Sequence, residues 1–183
     1  KPKIEEASQL CGVYRSKDNY LDKLTDIDWV VVATPNESHY EIVKKCLELK
    51  LNVFCEKPLT ENYKKSLDLF DIAKKNKKKL YVNDVENFKN LKINYSNKKN
   101  LVCRKKSGGG EVKDLLFRLA YHDFYLIYKY VSGKKVHNIK LLEKENYLSF
   151  SLYFDEVPFE FLYNVNSSER THTINDTNFS SQK

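Results

Sequence analysis

The sequence predicts an α/β fold: a Rossmann-like, doubly wound parallel sheet, followed by a smaller α+β domain with a mostly antiparallel sheet. Two observations predict this class. In the first half, short β-branched apolar runs alternate with segments whose apolar residues recur at helical spacing. In the second half, apolar and polar residues alternate with a period of two. We place the boundary after residue 84, which gives domains at 1–84 and 85–183.

The predicted strands of the first domain are continuous apolar runs, as expected for strands that are buried on both faces. They cover residues 10–14, 28–34, 52–55 and 80–82. The S-x-x-E pattern from Ser38 predicts a capping box and a helix over 39–49. Thr60 is expected to cap a second helix, whose apolar stripe is Tyr63, Leu67, Phe70 and Ala73. Ligands of such sheets bind beyond the carboxyl ends of the strands.

Composition excludes several classes of protein. No apolar run exceeds five residues, whereas a spanning helix needs roughly 20, so we expect no membrane association. The four cysteines show no C-x-x-C pairing and are expected to be reduced and mostly buried, which favours a cytoplasmic protein: Cys11, Cys46, Cys55 and Cys103. Residues 89–106 carry seven basic residues and no acid, as many as the net charge of +7. We expect a solvated connector there rather than a nucleic-acid interface.

Two motifs carry a resemblance to a known family. Residues 33–39 read A-T-P-N-E-S-H, and residues 53–60 read V-F-C-E-K-P-L-T. In this order and spacing they resemble the Gfo/Idh/MocA oxidoreductases. Residues 81–88 are similar to the V-G-H-V-E-R-F of members that act on sugar nucleotides, although Asp84 replaces the histidine and Asn87 the arginine.

The resemblance implies hydride transfer between NADP or NAD and a hydroxyl-bearing carbon of a sugar, cyclitol or sugar nucleotide. Residues 1–84 would then be the dinucleotide-binding domain, and residues 85–183 the substrate and oligomerisation domain. Such chemistry needs a group that exchanges the hydroxyl proton at neutral pH, and a lysine at a strand tip can serve. Lys57 is the candidate; the alternative is an ordinary surface lysine. Glu56 would contact the nicotinamide ribose.

Further residues at strand tips are expected to bind the cofactor. The full set is Arg15, Ser16, Thr34, Pro35, Asn36, His39, Glu56 and Lys57. The cations and hydroxyl of residues 15–17 suit a 2′-phosphate and favour NADP(H), unless they form only an exposed turn. Residues 1–9 contain no glycine, and the sequence shows neither a first strand nor a G-x-G-x-x-G loop. Either these parts of the protein lie outside the printed sequence or the protein does not hold a dinucleotide in the usual way.

A helix over 111–130 is expected to be largely buried, with one polar stripe that includes Asp114, Arg118 and His122. This stripe is either the solvent side or a catalytic face. By resemblance, His122 would carry a proton or bind substrate, and an acid would stand one turn before it. Arg118 occupies that position, which leaves Asp114 as the nearest acid on this face and opens the alternative of a non-catalytic, ligand-binding relative. Substrate binding is assigned to Lys57, Arg118, His122 and Asn87.

The remaining predictions concern the second half of the chain. Strands are expected at 136–142, 147–154, 159–165 and 170–174, with a turn at 155–158 and a frayed tail at 175–183. Asp123 is expected to be buried, hydrogen-bonded and structural, while His137 and His172 have no assigned role and no metal-ligand spacing is present. By resemblance, the open face of the sheet packs against another subunit in a homodimer or homotetramer. The enzymatic interpretation requires Lys57 and His122 to share one cleft.

Overall fold

The computed structural model describes residues 27–84, 92–107, 115–143 and 147–180. The chain divides into two compact units, with the boundary between Asn83 and Asp84. Each unit has its own hydrophobic core. Several predicted features lie outside the described residues: the strand at 10–14, Cys11, Arg15, Ser16, Asn87 and Asp114.

The first unit is a three-stranded parallel sheet whose strands are connected by two helices. Its elements are β1 (Trp29–Val32), α1 (Asn36–Glu48), β2 (Asn52–Cys55), α2 (Tyr63–Lys75) and β3 (Leu80–Val82). The strands lie in the order β1-β2-β3, and Val32, Cys55 and Val82 are register partners at their carboxyl ends. The expected parallel α/β arrangement is confirmed, and the three strand tips lie at one edge of the sheet.

Helix α1 begins three residues before its predicted start, and Ser38 does not cap it. Its N-cap residue is Pro35, and no side chain makes a capping hydrogen bond. The Ser38 hydroxyl instead lies 2.7 Å from both Thr34 Oγ1 and the Pro35 carbonyl oxygen. The predicted capping box is wrong because Pro35, with φ fixed at −57°, lets the helix start directly after it.

Helix α2 is capped by Asn62, whose side-chain oxygen accepts a 3.2 Å hydrogen bond from the Lys65 backbone. Thr60 is not the cap; its hydroxyl is hydrogen-bonded to the backbone of Asn62, two residues later. The predicted buried stripe is also wrong apart from Ala73, since Tyr63 is 76% exposed and Leu67 and Phe70 are exposed too, whereas Leu69 is fully buried. Two apolar stripes with helical spacing exist on this helix, and the spacing alone does not show which one meets the sheet.

The second unit is an α+β structure built on a six-stranded sheet. Its elements are β4 (Asn100–Lys105), a π-helical segment (Leu116–Ala120), α3 (Tyr121–Val131), β5 (Val136–Glu143), β6 (Leu148–Phe154), β7 (Val157–Asn164), β8 (Thr171–Ile174) and β9 (Thr177–Asn178). The strand order is β5-β6-β7-β4-β8-β9, and among these strands β4–β7 is the one parallel pair. The expected mostly antiparallel sheet is confirmed.

The core of this unit is aromatic. Phe150 and Phe161 stack across β6 and β7 with ring centroids 4.7 Å apart, and Phe124 of α3 packs on them. On β6, Leu148, Phe150, Leu152 and Phe154 are buried while the residues between them are half-buried, which confirms the two-residue period. Helix α3 therefore covers one face of the sheet.

Two expectations about the basic and C-terminal segments are wrong. Residues 100–105 are not a connector but form β4, an interior strand. The cations of this strand are paired, Arg104 with Asp123 at 2.8 Å and Lys105 with Glu169 at 3.3 Å. The tail is not frayed over residues 175–180, because β9 pairs with β8 and the buried Phe179 packs on the His172 ring. Residues 89–91 and 181–183 lie outside the described ranges.

The predicted polar stripe of the helix near His122 is interrupted by the π-helical segment. A π turn holds more residues than an α turn, so residues within it, such as Arg118, and before it are rotated relative to a wheel of 100° per residue. Arg118 is consequently exposed, whereas His122 is buried, although the wheel placed them on one face. No described helix combines the length and the apolar character that crossing a membrane requires.

Candidate functional site

The tip of β2 carries Glu56, Lys57 and Pro58, and the neighbouring strands hold this tip in place. The Glu56 backbone donates a 2.8 Å hydrogen bond to the Val32 carbonyl of β1, and the Asn83 backbone donates one of 2.7 Å to the Cys55 carbonyl. The Asn83 side-chain amide donates to Glu56 Oε1 at 2.7 Å, while the Lys57 backbone N–H lies 3.3 Å from Glu56 Oε2. Both oxygens of the carboxylate are therefore engaged, and its orientation is fixed.

His39 ties the tip of β2 to the tip of β1. Its ring is fully buried, with Nδ1 2.8 Å from the Pro58 carbonyl oxygen and Nε2 2.8 Å from the Thr34 carbonyl oxygen. Each ring nitrogen therefore faces a carbonyl oxygen, which is a hydrogen-bond acceptor. The ring holds the segment that follows Lys57 against the loop after β1, and the Lys57–Pro58 peptide bond between them is cis.

The loop after β1 presents polar groups at the same edge. Thr34 and Pro35 are exposed, and the Thr34 hydroxyl accepts from Ser38. The Asn36 amide donates to Glu61 Oε1 at 3.3 Å. Together with the Glu56 carboxylate and the Asn83 amide, these hydroxyl, amide and carboxylate groups match the hydrogen-bonding needs of a ribose diol.

In the second unit, His122 lies beside Asp84. His122 Nδ1 is 3.2 Å from Asp84 Oδ1, and the exposed fractions of the two side chains are 11% and 2%. A carboxylate accepts hydrogen bonds, so the imidazole donates from Nδ1. The neutral ring then has an unprotonated Nε2, which can take up a proton.

The positive charge of Arg118 acts on a neighbouring cation, Lys106. The pKa of Lys106 is lowered by partial burial and then by the positive charges of Arg118, Arg170 and Arg104. Lys106 follows β4 and Arg170 precedes β8, and these strands pair as far as Lys105 and Thr171. Positive charge therefore concentrates at this end of the sheet.

Asp123, the residue after His122, anchors helix α3 to the sheet. Arg104 donates to both of its carboxylate oxygens at 2.8 to 3.1 Å, and His172 Nε2 lies 2.7 Å from Oδ1. Burial alone would raise the pKa of Asp123, but the His172 hydrogen bond and the Arg104 guanidinium outweigh it and hold that pKa below its usual range. Nearby, burial and then the Asp123 charge raise the pKa of Tyr163 well above its usual value.

Residues 2–84 match the family described as an oxidoreductase family with an NAD-binding Rossmann fold, GFO_IDH_MocA. The match covers 83 of the 183 residues of the chain. Over 62 residues the chain is 40% identical to an uncharacterized oxidoreductase of Schizosaccharomyces pombe, a match covering 34% of this chain and 16% of that protein. Over 71 residues it is 37% identical to an inositol 2-dehydrogenase of Mycolicibacterium gilvum, covering 36% and 20%. The matches thus span a small part of these curated relatives.

Solved structures resemble the chain over most of its length. A UDP-N-acetylglucosamine 3-dehydrogenase from Acidithiobacillus ferrooxidans is 14% identical, with a TM-score of 0.75 over 93% of this chain and 58% of that one. The WlbA dehydrogenase from Thermus thermophilus, crystallised with NAD and UDP-GlcNAcA, is also 14% identical, with a TM-score of 0.77 over 100% and 73%. At these identities the likeness shows the fold alone. The family that residues 2–84 match is NAD-binding, which confirms the expected class of cofactor, a nicotinamide dinucleotide.

Within each unit, some of the residues that were predicted for the site lie close to one another. In the first unit, Thr34, Asn36, His39, Glu56 and Lys57 lie at or beside adjoining strand tips. In the second unit, His122 is buried next to Asp84, whereas Arg118 is exposed one turn earlier. Asp123 is buried and hydrogen-bonded, as expected.

Three residues with local roles were not predicted. Asn83 and Asp84 follow β3, at a strand tip where the sequence indicates a ligand site, but nothing in the sequence identifies Glu56 and His122 as their partners. The expectation that His172 has no role is wrong, because its ring bonds the buried Asp123. Among the described residues, no cluster of three potential metal ligands is present.

Proposed function

We propose that the protein is an NAD(P)-dependent oxidoreductase that transfers hydride to or from a hydroxyl-bearing carbon of a sugar, cyclitol or sugar nucleotide. The observation that carries this proposal is the fixed geometry of the β2 tip. Lys57 is flanked by a carboxylate bonded to Asn83 and by a proline carbonyl bonded to the buried His39. A lysine held in this way is preorganised for proton transfer, unlike a lysine on a mobile surface loop.

In this reaction the chain's own residues move a proton and orient the reactants. When bound, the nicotinamide donates or accepts the hydride. As a hydroxyl is oxidised its proton must leave, and as a carbonyl is reduced a proton must arrive; we assign this exchange to Lys57 Nζ. Positioned acid–base groups of this kind contribute roughly 10²- to 10⁴-fold to rate.

The polar groups at the tips of the first unit's strands suit one end of the cofactor. We propose that Glu56 accepts from the nicotinamide ribose, while Thr34, Pro35 and Asn36 line the same edge. His39 has both ring nitrogens engaged, so we assign it to holding the two loops together. Preference for NADP(H), through Arg15 and Ser16, stays a prediction.

We propose that His122 acts on the same substrate as Lys57, with residues 1–84 as the cofactor domain and 85–183 as the substrate and oligomerisation domain. Within the first unit, the Asn83 amide is hydrogen-bonded to Glu56, and within the second unit, Asp84 is hydrogen-bonded to His122. Asp114 and Asn87 stay predictions as further site residues.

An alternative function is ligand binding without turnover. The observation that favours it is Arg118, an exposed cation one turn before His122, where the family resemblance leads us to expect an acid. An arginine binds carboxylate or phosphate groups bidentately but does not exchange protons near neutral pH. Arg118 is therefore assigned to substrate binding in either case.

The test is NADPH and NADH binding, followed by turnover. The fluorescence of the reduced cofactor is titrated with protein, and oxidation or reduction is then followed with myo-inositol and UDP-N-acetylglucosamine, chosen from the names of the relatives. We expect Lys57→Ala to lower kcat by about 100-fold or more while the Kd for NADPH changes less than about twofold. Lys64→Ala, on the exposed side of α2, is the matched control and should leave both unchanged.

The outcomes separate the candidates. Equal turnover by the wild type and Lys57→Ala would contradict the assignment of Lys57. Cofactor binding without turnover of any sugar or cyclitol would support the binding-only alternative. Absence of binding to either nicotinamide would contradict both. A homodimeric or homotetrameric assembly and a cytoplasmic location are further parts of the proposal, the latter supported by the free thiols of Cys46, Cys55 and Cys103.

A further inference from the structure

The second unit contains a buried carboxylate that faces a specific nitrogen of the proposed catalytic imidazole. Asp84 Oδ1 lies 3.2 Å from His122 Nδ1, and both residues are less than 10% exposed. Arg118, one turn earlier on the helix, is exposed and cannot accept a hydrogen bond. The acceptor for His122 thus comes from Asp84, 38 residues away in the chain.

We propose that Asp84 is a positioning residue, which holds His122 as the Nδ1–H tautomer and leaves Nε2 as the proton acceptor toward substrate. This inference rests on the proposed function for its kinetic consequence, but not for the tautomer itself. An ionised carboxylate only accepts, so the facing nitrogen must carry the proton. A carboxylate on Nδ1–H both orients an imidazole and stabilises the imidazolium formed on proton uptake.

The neighbourhood of the ring supports an orienting role. Tyr121 packs edge-on to the His122 ring at 6.0 Å and 81°, which limits ring rotation. The π-helical segment ends at Ala120, immediately before these two residues, and α3 then continues from Tyr121. Asp123, on the other side of His122 in sequence, is fixed by Arg104 and His172. The backbone that carries His122 is therefore anchored. Asp84 then determines which nitrogen of the His122 ring carries the proton.

The decisive substitution is Asp84→Asn, because it keeps the shape of the side chain. An amide can accept through oxygen or donate through nitrogen, so it no longer imposes a single tautomer. In protein with ¹⁵N-labelled histidine rings, long-range ¹H–¹⁵N spectra at alkaline pH distinguish protonated from unprotonated ring nitrogens. The signals of His122 are identified by their loss in His122→Gln. We expect Nδ1–H alone in the wild type and an Nε2–H population in Asp84→Asn.

Kinetics supply the second readout. We expect Asp84→Asn to lower kcat on the order of 100-fold, with KM and the Kd for NADPH changed less than about threefold. The melting temperature should stay close to that of the wild type, because the replacement is isosteric. Asp71→Asn, an exposed carboxylate on α2, is the matched control and should change none of these quantities.

A wild-type His122 protonated at Nε2, or an unchanged tautomer in Asp84→Asn, would overturn the proposal. A lower melting temperature with unaltered ring signals would assign Asp84 a purely structural role and would overturn it as well. If the wild type turns over no substrate, the proposed function fails, yet the spectra still decide whether Asp84 sets the tautomer. If turnover occurs and Asp84→Asn matches the wild type, the inference about Asp84 fails alone.

Discussion

At the scale of single residues, Asp123 is a side chain whose removal we expect to be costly. It is fully buried and holds the Arg104 guanidinium through both carboxylate oxygens, together with the His172 ring. Asp123→Ala would leave a buried cation without its counter-charge, so we expect the free energy of unfolding to fall by about 3–5 kcal/mol. Urea unfolding measures this, with the exposed Asp71→Ala as the control. A loss comparable to that of the control would contradict the anchoring role.

The same carboxylate should give the protein a distinct acid dependence. The pKa of Asp123 in the folded chain lies below its unfolded value of about 3.9. Its stabilisation is therefore complete above about pH 4 and is lost as the pH falls through the folded pKa. We expect the free energy of unfolding of the wild type to decline below about pH 4 more steeply than that of Asp123→Asn. Parallel pH profiles of the two proteins would contradict this.

Cys55 should be chemically inert despite lying next to Glu56 and Lys57. Burial, and then the Glu56 charge, raise the pKa of Cys55 to about 12, so at about pH 8 only about one thiol in 10⁴ is ionised. We expect iodoacetamide to leave Cys55 unmodified in the native protein and to modify it fully in guanidinium, as measured by peptide mass spectrometry. Native labelling at the rate of an ordinary thiol would show that the β2 tip opens to solvent.

At the scale of elements, the two helix starts of the first unit should respond differently to alanine. Asn62 caps α2 by accepting from the Lys65 backbone, and Asn62→Ala should lower the free energy of unfolding by about 1 kcal/mol. Ser38 makes no cap, so Ser38→Ala should cost less. Urea unfolding of the two variants tests this. A larger loss of stability in Ser38→Ala would indicate that Ser38 caps α1, as the S-x-x-E pattern predicts.

These helices also show how far the sequence determines the elements. The strands at 52–55 and 80–82 agree with the structure to the residue, because short apolar runs bounded by polar residues leave little freedom in their limits. The π-helical segment escaped prediction because a local change in helical pitch leaves the order of apolar residues unchanged. Strand β4 escaped because its charges suggest solvent, whereas Arg104 is neutralised by a residue 19 positions away.

In the candidate site, too, the features that depend on local sequence could be predicted and those that depend on distant partners could not. The tips that carry Thr34, Glu56 and Lys57 are local features of sequence, and short motifs identify them. The partners that orient the site are distant: Asn83 lies 27 residues from Glu56, and Asp84 lies 38 residues from His122. Such pairings depend on strand order and helix placement, which a single sequence does not reveal.

At the scale of the whole molecule, we predict that copies of this chain associate through the edge of the second unit's sheet. Strand β5 is the outer strand of the described sheet, and its apolar side chains are exposed, Ile139 by 69% and Leu142 by 54%. Edge strands are usually protected by charged side chains or by a covering segment, and an exposed apolar edge strand is typical of a surface that contacts another protein.

We therefore expect light scattering after size exclusion to give the mass of a dimer or tetramer. Replacing Ile139 and Leu142 together by lysine should reduce that mass to one chain, because two buried cations at a shared edge are strongly unfavourable. Lys140→Gln, on the same exposed strand, should leave the assembly intact. A monomeric wild type, or a double variant that keeps its mass, would show that β5 is not the surface through which copies of this chain associate.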